Sequence, residues 1–194
     1  MKFITVYCAS STSLDQEYHD AAEQIGKEIA SRGLTLVYGG GRIGLMGEVA
    51  MAAAANGAEV IGVITHKFVA HEQANESCDE LIVVETMQER RSIMMERGEA
   101  FLVLPGGIGT YEEFFEVLVG RQIGDHTKQI GLVNVRGYFD PMKKMLEHGI
   151  EQHFMRPALR DLLFYDPSPT TVIDFVTSST SPQPPPEDIL PMHG

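Results

Sequence analysis

Cysteine and positive charge are what this sequence has least of, and each shortage closes off a class of function. Two cysteines, Cys8 and Cys78, make neither a disulfide framework nor a zinc-ligand spacing, which points to a reducing cytoplasm. Lys and Arg total 15 against 27 Asp and Glu, so the formal net charge is −12. That balance disfavours an extended nucleic-acid or anionic-membrane surface, both of which need clustered cations. No apolar run is long enough to span a bilayer, and Met1-Lys2 leads into a short strand with no signal-peptide cleavage pattern behind it. H-E-x-x-H is missing. His66, His71 and Glu72 have no further ligand at metal-binding spacing, so neither metal nor cofactor is expected.

What is present suits one soluble α/β domain. Hydrophobic residues make up 43% and charged residues 22% of 194, enough to bury a sizeable core. Residues 1–179 read as a single nucleotide-binding domain, and the proline-rich, polar residues 180–194 as a disordered tail. Short apolar runs predict strands at 2–8, 34–38, 59–64, 80–85, 100–104 and 129–135. Helical patterns alternate with them at 14–32, 43–55, 86–97, 110 onward, 141–153, 157–163 and 170–178. Ser13 and Thr86 read as N-caps, the second with Glu89 three residues on. Residues 65–79 show no period and read as a mobile loop or short helix, and the ten methionines as core filler. The alternation predicts a doubly wound, Rossmann-like, mainly parallel sheet with helices on both faces. Its ligand would sit beyond the carboxyl ends of the strands.

The loops expected at that edge carry the unusual chemistry. The most telling is Pro105-Gly106-Gly107-Ile108-Gly109-Thr110 between a buried strand and a helix. Its glycines remove side chains that would keep a ligand off the backbone, and the first N–H groups of a helix have no partner inside it and carry partial positive charge. Together these make an anion cradle, most simply for phosphate. Thr110 and Glu113 also fit a capping box. A second loop, Gly39-Gly40-Gly41-Arg42-Ile43-Gly44, satisfies G-x-G-x-x-G. It follows the second strand, and the acid a dinucleotide site needs about 20 residues on is missing from the end of the next strand, so NAD is not expected. Arg90 and Arg91 sit in the first turns of their helix, where a cation is unfavourable by about 0.3–1 kcal/mol. Either they are solvated or loosely paired with Glu85, Glu89 or Glu96, or one or both turn toward an anionic or developing-charge group in the cleft. Glu72 reads as an exposed loop acid, with an acceptor for sugar or base as the alternative.

Three segments resemble the Lonely Guy (LOG) family of cytokinin-activating phosphoribohydrolases: PGGIGTYEE at 105–113, GGGRIGLMG at 39–47, and MQERRSIM at 87–94. The similarity runs from Lys2 to about Val176. It implies hydrolysis of the N-glycosidic bond of an adenosine 5′-monophosphate, usually N6-prenylated, to free base and ribose 5-phosphate. It implies nucleotide contacts at Glu72, Arg90, Arg91, Gly107, Ile108, Gly109, Thr110 and Glu113, with the phosphate on Gly107, Gly109 and Thr110. Arg90 and Glu113 would be the catalytic pair, and the working unit a homodimer. The chain departs from the family pattern at Arg91, where Lys is usual, at Gln88, at Thr65-His66 where a proline is expected, and at Gly120 where plant members carry an aromatic. Some such proteins are labelled lysine decarboxylases, yet Lys67, Lys128 and Lys143 lie outside the site motifs. The alternative is a nucleotide or molybdenum-cofactor carrier without hydrolysis.

Overall fold

A computed structural model describes residues 1–71 and 73–178. The notion of a disordered tail at 180–194 therefore falls outside the described residues, as does Glu72. Among the described residues seven strands form one sheet: β1 Phe3–Tyr7, β2 Thr35–Tyr38, β3 Val60–Thr65, β4 Glu80–Val84, β5 Ala100–Val103, β6 Gln129–Val133 and β7 Phe164–Asp166. Their spatial order is β4-β3-β2-β1-β5-β6-β7, and every pair is parallel. The helices are α1 Gln16–Ser31, α2 Gly44–Ala55, α3 His66–Ala70, α4 Met87–Arg97, α5 Ile108–Ile123, α6 Asp140–Glu151 and α7 Pro169–Thr177.

Period-two alternation divides the central strands between two cores. Ile4 and Val6 of β1, with Ala100 and Leu102 of β5, join the apolar layer that also takes in buried residues of α1, α2 and α7. Tyr7, Phe101 and Val103 join the opposite layer with residues of α4, α5 and α6. Both faces are thus covered, which is why these strands read as continuous apolar runs. On the first face α1 and α2 approach closely: a Cβ added to Gly26 would lie 2.6 Å from the Ala52 Cβ and from the Val49 carbonyl oxygen. The alanines of α2 serve that approach.

Three local readings are corrected. The first helix starts at Gln16 with Asp15 at its N-cap, not at Ser13, and the Asp15 carboxylate is engaged by Arg136. The sixth strand stops at Val133, because the chain turns through a short 3-10 segment, Val135–Gly137, with Arg136 at φ 54°. The three-residue strand β7 was missed, being too short to show a period. Residues 65–79 hold the short helix α3 and a bridge from Ala74 to Gly41. The Thr86 box forms as expected: Glu89 N–H donates to the Thr86 hydroxyl and Thr86 N–H to the Glu89 carboxylate, both at 3.1 Å.

The order of connection reverses at β1, whose neighbours are β2 on one side and β5 on the other. Loops leaving the carboxyl ends of β1 and β5 are carried apart by this reversal, and a crevice opens there.

Candidate active site

That crevice is a cavity of about 340 Å³. It is lined from the loops after the first five strands, by Ser10, Gly39, Phe68, Arg90, Gly107 and Glu113 among others. Ile108, Gly109 and Thr110 also border it.

Its floor is set by Arg90 and Glu113. Arg90 Nη1 donates to Glu113 Oε1 at 2.7 Å, Nε donates to the Val63 carbonyl at 2.9 Å, and Nη2 to the Gly39 carbonyl at 3.2 Å. All three guanidinium nitrogens are satisfied, which offsets the cost of placing a cation in the first turns of α4. The pair is buried, Arg90 being 7% and Glu113 8% exposed. Burial pushes the Glu113 carboxyl above the ordinary carboxylate range, and the charge and hydrogen bond of Arg90 oppose that shift. Gly39 makes room for the arrangement: a Cβ there would stand 2.0 Å from Arg90 Nη2.

Here the expected capping box at Thr110 does not form. α5 begins at Ile108 with Gly107 as N-cap, and Thr110 lies inside the first turn. Its hydroxyl packs where a Cβ on Gly106 would be, 2.1 Å away. Glu113 does not reach back to a cap because Arg90 takes it across the cleft. The first-turn amides of α5 therefore have no acceptor four residues back in the helix, and among the described residues no side chain caps them. A Cβ on Gly107 or on Gly109 would meet nothing within 4 Å. Gly109 and Glu113 are four residues apart, so both lie on one helix face, about 6 Å apart along the axis.

Arg91 points elsewhere. Consecutive helical residues diverge by about 100°, so with Arg90 turned inward Arg91 meets the outer face of α5. There it pairs with Glu112 at 3.0 Å and with Glu116 at 2.9 Å, and it does not border the cavity. His66 faces Glu85 at 3.4 Å, and His71 Nδ1 bonds the Lys67 carbonyl at 2.6 Å.

Sequence patterns missed the cavity's apolar wall. Met46 and Met87, taken with the other methionines as core filler, border the cavity beside Ile43, Ile64 and Phe68. Each stands within a motif segment, 39–47 or 87–94, and that was the available signal. Cys8 does belong to the core and also borders the cavity; burial pushes its thiol up, so it stays protonated. Gly120 lies away from the cavity, where a Cβ would come within 3.1 Å of the His126 ring. No lysine borders the cavity among the described residues: Lys128 donates to the Met95 carbonyl at 2.6 Å, and Lys143 lies 5.6 Å over the Tyr165 ring.

A parallel sheet with its crevice at the point of reversal is the plan of the Rossmann-like α/β proteins. The molybdenum cofactor binding protein from Rippkaea orientalis shares it, with a TM-score of 0.67 over 89% of this chain and 93% of that one. At 20% identity that likeness concerns the fold alone. Closer in sequence is the cytokinin riboside 5′-monophosphate phosphoribohydrolase of Rhodococcoides fascians, 44% identical over 160 residues, 82% of this chain and 81% of the relative. The rice protein named "Probable cytokinin riboside 5′-monophosphate phosphoribohydrolase LOGL2" is 40% identical over 171 residues, 88% of this chain and 70% of its own length. The family described as "Possible lysine decarboxylase" matches residues 46–176. The chain belongs to the Lonely Guy (LOG) phosphoribohydrolase family.

Proposed function

We propose that this protein hydrolyses the N-glycosidic bond of adenosine 5′-monophosphates, N6-substituted or not, releasing the free base and ribose 5-phosphate. The carrying observation is a buried carboxylate one helical turn from open, side-chain-free amides on the same face of α5. A phosphate on the amides of Gly107, Gly109 and Thr110 puts its ribose beside Glu113. Breaking the bond builds oxocarbenium character at C1′, which Glu113 stabilises while activating the attacking water. Arg90 holds Glu113 ionised and in place, and the phosphate contributes positioning energy remote from the bond that breaks. The base lies against Ile64, Phe68 and Met87, with Glu72 as acceptor for base or sugar. Arg91, already paired with Glu112 and Glu116, contributes by holding α4 against α5.

We take the working unit to be a homodimer in the cytoplasm, with residues 1–179 acting as one nucleotide-binding domain. Family membership and the exposed apolar side chains of Ile108, Val119 and Ile123 on α5 support the dimer. The two unpaired cysteines support a reducing compartment, and the net charge of −12 speaks against nucleic-acid and membrane partners. Light scattering of the purified chain tests the dimer.

Activity is tested by incubation with AMP, N6-prenyl-AMP, GMP and CMP and chromatography for released base. Free adenine or prenyladenine is expected; a carrier would return the nucleotide intact. Glu113→Gln should fold and lose about 10³-fold in turnover. Full activity in that variant would remove Glu113 from the chemistry.

A further inference from the structure

The loop after β6 brings one more group to the phosphate cradle. Tyr138 follows the 3-10 segment Val135–Gly137, and its hydroxyl donates to the Gly106 carbonyl at 2.5 Å. In a trans peptide the C=O and the next N–H point in opposite directions. A Gly106 carbonyl held toward Tyr138 therefore turns the Gly107 N–H away from it, on the side where Gly107 borders the cavity. The preceding peptide is fixed in a similar way, since the Pro105 carbonyl accepts from Ala9 N–H at 3.2 Å.

Such fixing matters at this position. Gly106 and Gly107 flank the peptide, and Gly107 has open space where a side chain would stand, so little else resists rotation of that plane. Tyr138 is itself held. Its ring packs edge-on against Phe139 at 5.2 Å and against Tyr18 at 6.1 Å. Its backbone N–H donates to the Val135 carbonyl at 3.0 Å. Phe139 in turn packs edge-on against Tyr111 of α5 at 6.4 Å.

We infer that Tyr138 is a positioning residue for substrate phosphate: its hydroxyl locks the Gly106–Gly107 peptide so that the Gly107 N–H faces the 5′-phosphate of a nucleoside monophosphate. The inference rests on the cleft being a nucleoside monophosphate site.

Tyr138→Phe keeps the ring and removes the lock. Calorimetric affinities for AMP and for adenosine, each in the unaltered protein and the variant, separate orientation of the phosphate site from general loosening. AMP should bind about tenfold more weakly in the variant, and adenosine within about twofold of the unaltered protein. Equal weakening of both ligands, or no weakening of either, would overturn the role. Tyr18→Ala, which leaves the Tyr138 bond in place but removes the ring that holds Tyr138 edge-on, should weaken AMP by about two- to threefold and leave adenosine unmoved; an unchanged AMP affinity there would count against the role if Tyr138→Phe did not fold. The underlying function fails differently. Unaltered protein that binds AMP no tighter than adenosine would refute the phosphate cradle, and tight AMP binding without base release would refute only the hydrolysis.

Discussion

Two glycine-rich turns flank the end of β1, and they use their missing side chains in opposite ways. In the turn after β2 the protein fills the space itself. Arg90 occupies the place of a Gly39 side chain, the Met46 methyl stands 2.8 Å from a Cβ on Gly41, and the Ser10 backbone lies 2.4 Å from one on Gly44. In the turn after β5, Gly107 and Gly109 face open space, and no side chain among the described residues caps the helix start. The same residue type thus makes room for the floor of the cavity in one loop and leaves open space in the other. A G-x-G-x-x-G pattern alone does not distinguish the two uses.

The contrast can be broken by adding methyl groups. Gly44→Ala should have the largest effect, because φ is +61° and the methyl meets backbone that cannot move aside. A loss of about 2–5 kcal/mol in chemical denaturation is expected, and unchanged stability would show that this turn is not self-filled. Gly39→Ala comes next. The clashing group is the end of the Arg90 side chain, which can shift, so stability should fall by about 1–3 kcal/mol. Turnover should drop about a hundredfold as Arg90 leaves Glu113. Gly109→Ala should act in the opposite sense on stability. It lies inside α5 with room for a methyl, so stability should rise by about 0.4–1 kcal/mol while AMP binds about tenfold more weakly. A variant that gains stability and keeps its AMP affinity would place the phosphate elsewhere.

The smallest effect is on the pH profile. In the proposed mechanism Glu113 acts in its ionised form, so activity should be lost as pH falls through its pKa. Burial raises that value, so the acid limb of kcat/KM should lie above the ordinary Glu range of about 4.3. Arg90 opposes the rise, so residual activity in Arg90→Gln should show its acid limb at still higher pH. A limb that moves down would mean another group titrates.

Much of this was legible where local chemistry decides. The six longer strands, their helices and the Thr86–Glu89 cap follow from patterns within about ten residues, and the strand–helix alternation gives the doubly wound plan. The sheet proved wholly parallel where a mainly parallel one was expected. Misreadings came where distant groups intervene. Thr110 and Glu113 have the spacing of a cap, yet Arg90 takes Glu113 across the cleft. Ser13 has the chemistry of a cap, but Asp15, which engages Arg136, stands at the helix start. Arg90 and Arg91 look alike in sequence and are separated only by helical geometry, one buried on Glu113 and the other on the outer face of α5. β7 forms because β6 offers an edge to pair with, which no pattern in Phe164–Asp166 announces.

The central position of β1 also bears on how the protein acquires its site. Ile4 pairs with Ala100, so the first strand waits for a partner made much later in synthesis. Pairings of such sequence separation form slowly, after costly loop closure. A growing chain on the ribosome cannot close this crevice until β5 and α5 have emerged. Nucleotide should accordingly slow unfolding of the finished protein far more than it hastens folding, and a fragment ending before β5 should show no affinity for AMP.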